Sequence, residues 1–252
     1  MTIIAVFNQK GGVGKTTTSL NLAAALIRTA YGIDLDPQAH LSSISGITAR
    51  SGDDTVLSLF QRNRPLRELV QEAGSKINII PSHSELSKVD ALYGKGYNVV
   101  NRLNTSLQAE NFGKKETPIV IDCCPMIGVL SLNALFACNG LIIPISADHL
   151  STKGAMQLEK SLTALEHVLK RRIQRRYLLT RFDGRRRMGW DVLRLVEERF
   201  GQEVCRTRIS ENVSLAESPA LNLTVFEHAP NSRGAQDYDD LVKELLTDGF
   251  IE

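Results

Sequence analysis

Cysteine is scarce and poorly spaced for metal binding. The 252-residue chain has four, Cys123, Cys124, Cys138 and Cys205, with no C-x-x-C pair among them. That excludes a zinc framework of the usual spacing, and with no secretion signal the thiols read as reduced and cytoplasmic, packed as small hydrophobes. Long apolar runs are also missing. Nothing approaches the roughly 20 residues of a membrane-spanning helix. Thr2–Phe7 is too short for a signal sequence and passes straight into a glycine loop. Internal repeats, low-complexity tracts and a dividing linker are absent, so residues 1–252 are expected to form a single domain. A hydrophobic content of 42% is enough to give it a buried core.

A strong net charge is lacking too, at +2, but the charge is unevenly spread. Residues 170–208 carry 13 Lys/Arg against five acids, and the rest of the chain carries 17 against 23. Such asymmetry marks a candidate polyanion surface. Arg171, Arg172, Arg175, Arg176, Arg185, Arg186 and Arg187 form its densest part, with a solvated helix end and loop as the alternative reading.

Short apolar runs alternate with longer helical patterns. Thr2–Phe7, Ile77–Ile80, Pro118–Asp122, Leu141–Ile145, Tyr177–Arg181 and Val204–Ile209 read as strands, several of them apolar at consecutive positions as in a parallel sheet covered on both faces. Thr16–Arg28, Gly128–Cys138, Lys153–Leu169, Gly189–Phe200 and Ala235–Leu246 read as helices, and the stretch 45–76 as short helices over the sheet. The pattern predicts an α/β fold: a doubly wound, mostly parallel sheet flanked by helices. One place resists. A helix reaching Arg28 leaves only 29–33 for a turn and a strand climbing to Asp34. Either the helix stops near Leu26, the strand is stunted, or the sequence is short of residues there.

After the first strand comes Lys10-Gly11-Gly12-Val13-Gly14-Lys15-Thr16-Thr17, opening a helix. Glycines let backbone N–H groups turn inward onto phosphates, and the helix N-terminus adds its dipole. Lys15 is placed for the β- and γ-phosphates and the Thr16 hydroxyl for Mg²⁺. The strict G-x-x-x-x-G-K-[ST] pattern fails at Gln9. Asp34 and Asp36, two apart at a strand end, point to one side beside that loop. Ile119-Val120-Ile121-Asp122 ends a buried strand on an acid that could hold Mg²⁺ through water.

The string NQKGGVGKTTTSLNLAAAL, from Asn8 to Leu26, resembles the deviant Walker A motif of the ParA/MinD ATPases, with ParA partitioning proteins nearest. The likeness continues through Asp34-Leu35-Asp36-Pro37-Gln38, through Leu178–Arg185 and through Asn212–Pro219 to the last helix. It departs where Cys123-Cys124-Pro125-Met126 replaces D-C-P-P-S. The resemblance implies a P-loop NTPase fold and an ATPase with ATP/ADP and Mg²⁺ as cofactors. It implies a catalytic Lys10 that crosses the interface of an ATP-bound homodimer, and a catalytic Asp36 that orients the attacking water. It places Asp34 in support of the metal shell and Ile209 and Ser210 over the adenine. It further implies non-specific DNA binding, nucleoid association in the cytoplasm, and a ParB-like or cargo-adaptor partner that triggers hydrolysis.

Two other functions compete. A MinD-like membrane cycle needs a basic amphipathic C-terminal helix, whereas Tyr238–Glu252 is acidic. An iron–sulfur reductase needs two cluster cysteines per subunit, and no cysteine precedes Cys123. With the first strand at Thr2, no N-terminal helix-turn-helix domain is expected.

Overall fold

The computed structural model describes residues 2–26, 30–73, 77–94, 96–112 and 117–251. Its centre is a seven-stranded sheet: β1 Ile3–Val6, β2 Tyr31–Asp34, β3 Gln71–Glu72, β4 Asn78–Ile80, β5 Ile119–Asp122, β6 Gly140–Ser146 and β7 Gln174–Thr180. The strand order is β3-β4-β2-β5-β1-β6-β7, and only the β3–β4 pair is antiparallel. This is the expected doubly wound fold.

Strands β1, β5 and β6 are buried at every position. Their unbroken runs of Ile, Val and Leu follow from that, since alternate residues enter opposite cores. Ile3, Ala5, Ile119, Ile121 and Ile143 pack on one face with the Val129–Ala137 and His149–Leu169 helices. Ile4, Val6, Val120 and Ile142 pack on the other with the Lys15–Ala25 and Arg233–Thr247 helices. The stretch 45–76 carries the Leu57–Arg62 helix and 3₁₀ turns as expected, together with β3.

The approach to β2 and the 204–209 segment differ from the sequence reading. The first helix ends at Ala25, with Leu26 as its cap, and β2 is only four residues long. The early stop and the stunted strand therefore both occur, while positions 27–29 lie outside the described residues. The expected Val204–Ile209 strand is not a strand. It touches β7 intermittently, through Cys205 N to Tyr177 O and Ile209 N to Leu179 O, both 2.9 Å. In between, the amides of Arg206 and Thr207 donate to the Glu244 carboxylate at 2.7 Å each. A side chain from the last helix has taken the donors that a strand ladder would use.

Candidate nucleotide site

The phosphate loop joins β1 to the Lys15–Ala25 helix. Gly12 and Gly14 hold φ of 73° and 84°, a region costly for residues with a Cβ. Among the described residues no side chain caps this helix, so its first amides are left for a ligand. Lys15 is nearly buried, its Nζ resting 3.1 Å from Lys10 O. Burial lowers its pKa, and Asp122 and Asp36 act against that.

Three acids stand at the C-terminal ends of neighbouring strands. Asp34 and Asp122 are register partners on β2 and β5, both fully buried. Asp122 accepts from Thr16 Oγ1 at 2.8 Å and from Ser19 Oγ at 2.9 Å. Burial first, and then the Asp34 charge, pushes the Asp122 carboxyl up to about 7. Burial raises Asp34 to about 6 against the hydrogen bonds it accepts from Ser42. The oxygens of Asp34 accept from Asp36 N, Ser42 N and Ser42 Oγ at 3.1, 2.8 and 2.7 Å. Asp34 thus shapes the turn that carries Asp36.

Loop, Asp36 and the 209–216 segment enclose a cavity of about 520 Å³. Gly11, Gly12, Gly14, Lys15, Thr16, Thr17 and Asp36 line one end, and Ile209, Ser210, Leu215, Ala216 and Arg181 are also on its wall. Val13 is absent from the wall: its side chain is buried and its carbonyl accepts from Thr180 Oγ1 at 2.9 Å. Asp34 and Asp122 stand behind the lining residues. Lys10 is turned out of the cavity of its own chain. Its Nζ donates to Asp148 Oδ1 at 2.8 Å and Ser151 Oγ at 2.7 Å. Asp148 is the N-cap of the His149–Leu169 helix, accepting from Ser151 N, and these contacts hold its carboxyl far below the usual range.

Sequence reasoning missed Asp148, Arg181 and Tyr238, whose hydroxyl lies 3.2 Å from Thr18 Oγ1. Asp148 sits in no local pattern, and Arg181 and Tyr238 lie in segments whose likeness gave them no role. Each reaches the loop only through the fold.

The arginine cluster divides in two. Arg175 must be withdrawn from the polyanion surface: its side chain is 1% exposed and is held by Glu159 at 3.1 Å and by Glu166. Arg171 donates to the carbonyls of Leu135, Phe136 and Cys138, closing the end of the Val129–Ala137 helix. Arg176 lies over the Phe250 ring at 5.0 Å, and Arg172 pairs with Glu203. These four sit at the start of β7. Arg185, Arg186 and Arg187 follow its far end, roughly 20 Å away at about 3.3 Å per residue. Their side chains are 90%, 65% and 93% exposed. Arg185 and Arg186 face Asp183, whose carboxyl they hold down at about 2. Trp190 steadies this loop, donating from Nε1 to Gly184 O at 2.8 Å, with the Arg208 guanidinium 5.3 Å from its ring.

A family model described as an AAA domain matches residues 1–175. The chain is 32% identical to the sporulation initiation inhibitor protein Soj of Bacillus subtilis, over 98% of this chain and 99% of that one. It is 34% identical to the chromosome-partitioning ATPase Soj of Thermus thermophilus, over 96% and 94%. The chain belongs to the ParA/MinD family of P-loop ATPases. Among solved structures, this ParA-type chain is similar to cobyrinic acid a,c-diamide synthase from Mycobacterium smegmatis with bound ATP analog and magnesium. That likeness has a TM-score of 0.82 at 25% identity, covering 98% of this chain and 94% of the other. The shared fold is the one whose strand order puts loop, Asp36 and Asp122 at adjacent strand ends.

Proposed function

We propose that this chain binds MgATP in the loop cavity, hydrolyses it, and uses the ATP state to position or segregate a cargo. The observation that carries this reading is the convergence of Lys15, Thr16 and Asp36 on one cavity, with Asp122 bonded to the Thr16 hydroxyl. Lys15 and the free helix amides meet the phosphates. Asp36 stands at the same end, placed to orient a water toward the terminal phosphorus.

Thr16 and Asp122 fit a magnesium ion that arrives with its nucleotide. Among the described residues no three His, Cys, Asp or Glu side chains form a metal cage. Mg²⁺ at such sites takes one or two protein oxygens, and phosphates and waters supply the rest. When bound, the ion supplies charge neutralisation across the phosphates, and Asp34 supports it indirectly by fixing the Asp36 turn.

Lys10 is the group for ATP-dependent pairing of two copies: leaving Asp148 frees it to reach across an interface. Non-specific DNA is received by Arg185, Arg186 and Arg187, and a ParB-like or cargo-adaptor protein stimulates turnover. The Thermus thermophilus relative, a chromosome-partitioning ATPase, supports a partitioning role, and this reading puts the protein in the cytoplasm, on the nucleoid. Among the described residues no helix is long and apolar enough to cross a membrane. The last helix, Arg233–Thr247, carries four acids, three of them between Asp237 and Asp240, which disfavours an anionic lipid surface.

Calorimetry and a phosphate-release assay test the site together. Lys15→Ala is expected to lose measurable ATP binding. Asp36→Ala is expected to keep ATP but drop turnover by about 10²-fold or more. Unchanged affinity in the first variant rejects the cavity, and parental turnover in the second rejects Asp36 as the water-orienting carboxylate.

A further inference from the structure

We propose that Arg181 is a nucleotide-binding residue, covering the base and ribose end of the bound nucleotide and fastening it to the phosphate loop. This rests on the reading that the loop cavity holds ATP.

β7 ends at Thr180, whose hydroxyl donates to Val13 O and fixes the strand tip against the loop. Arg181 comes next with φ of 52°. A residue with a Cβ is disfavoured there, and such conformations gather at functional sites. The backbone is clamped just beyond it: Phe182 N donates to Ile209 O at 3.0 Å, and Glu211 N donates to Phe182 O at 3.1 Å. In this conformation the guanidinium lies over the loop, with Nη1 3.5 Å from Gly12 O. Arg181 is exposed and, among the described residues, in no ion pair, whereas Arg185, Arg186 and Arg187 each face an aspartate.

The next residue, Phe182, is bonded through its backbone to Ile209 and Glu211, and Arg181 shares the cavity wall with Ile209, Ser210 and Leu215. A planar, delocalised cation at that end suits a purine nucleotide in two ways. Its face can lie on the ring, and its N–H donors can reach ribose oxygens while keeping the Gly12 carbonyl. The contact with Gly12 holds the side chain near its bound position before nucleotide arrives, which reduces the ordering cost of binding.

The test is calorimetry of Arg181→Ala and Arg181→Gly with ATP, ADP and inorganic tripolyphosphate, with Lys15→Ala as control. Both Arg181 variants are expected to bind ATP and ADP about tenfold more weakly, the size of one good cation–π and hydrogen-bonding group. Tripolyphosphate, which has no base or ribose, should change less than twofold. Arg181→Gly should melt no lower than Arg181→Ala, because glycine takes a positive φ freely. ATP affinity at the parental level in both variants, while Lys15→Ala has lost binding, overturns the proposal alone. So does an equal loss for tripolyphosphate, which would make Arg181 a phosphate contact. Recovery in the glycine variant overturns it as well, by tracing the effect to backbone strain. Parental ATP binding by Lys15→Ala removes the cavity reading and this proposal together.

Discussion

Lys10 is held on its own chain by a carboxylate that also caps a helix, which separates two jobs of Asp148. Asp148→Asn keeps an acceptor for Ser151 N but loses the charge opposite Lys10 Nζ. The pair is about one-third exposed, so its net worth is about 1 kcal/mol or less. Freed from it, Lys10 should support ATP-dependent dimers at about two- to fivefold lower ATP. Lys10→Ala should bind ATP and stay monomeric. Light scattering over an ATP titration reads both, and an unchanged midpoint for Asp148→Asn would mean the contact does not restrain Lys10. The buried pair Asp34 and Asp122 makes a second residue-scale prediction. Both carboxyls are raised in the folded state, to about 6 and about 7, from an ordinary value of 3.8. The folded protein therefore holds more protons than the unfolded chain between about pH 4 and 7, and stability falls as pH rises through that window. Nucleotide-free protein should melt a few degrees higher at pH 5 than at pH 7.5. Asp122→Asn should flatten that slope, and a melting temperature that rises over the same interval would contradict the assignment.

At the scale of elements, the loop and its helix were legible because everything they need is contiguous: strand, glycines, lysine, threonine, helix. Asp122 was legible for the same reason, as it closes an apolar run, and Asp34 and Asp36 by their spacing two apart. What failed to read depended on partners far along the chain. Arg175 looked like part of a basic surface because Glu159 and Glu166, which bury it, lie a helix earlier. The 204–209 segment looked like a strand because Glu244, which occupies its amides, lies in the last helix. Lys10 gave no hint of Asp148, 138 residues away. The Arg175 correction has a measurable consequence. Arg175→Ala strands two partly buried carboxylates, costing about 2 kcal/mol after allowance for their exposure. For a chain of this size that is a fall of roughly 4–8 °C in melting temperature. Its DNA affinity should match the parent's, and a DNA defect with unchanged melting would return Arg175 to the surface.

For the whole molecule, dividing the seven clustered arginines places Arg185, Arg186 and Arg187 at the strand ends where the nucleotide cavity opens, and the other four at the opposite end of β7. If these three meet phosphates, the ATP-bound protein should bind random duplex DNA. Each phosphate neutralised contributes a log–log salt slope of about −0.9. Replacing all three by Ala should flatten the slope and weaken binding equally across sequences, with ATP affinity kept. Gel shifts and anisotropy over a salt series decide it. No shift at low salt would assign the loop to a solvated face, and a strong sequence preference would call for base contacts that these arginines do not supply.

The indole bonded to Gly184 also makes the molecule its own optical reporter. Trp190 is the single tryptophan, half exposed, and it braces the loop that carries Arg185 to Arg187. Phe182, which meets it edge-on at 5.3 Å, is bonded through its backbone to Ile209 and Glu211 at the cavity wall. Intrinsic emission from one position can therefore follow both ends of that connection. A polyanion drawing the loop outward and a nucleotide settling against the wall would each change the surroundings of the same fluorophore, and the unlabelled protein could be read in real time.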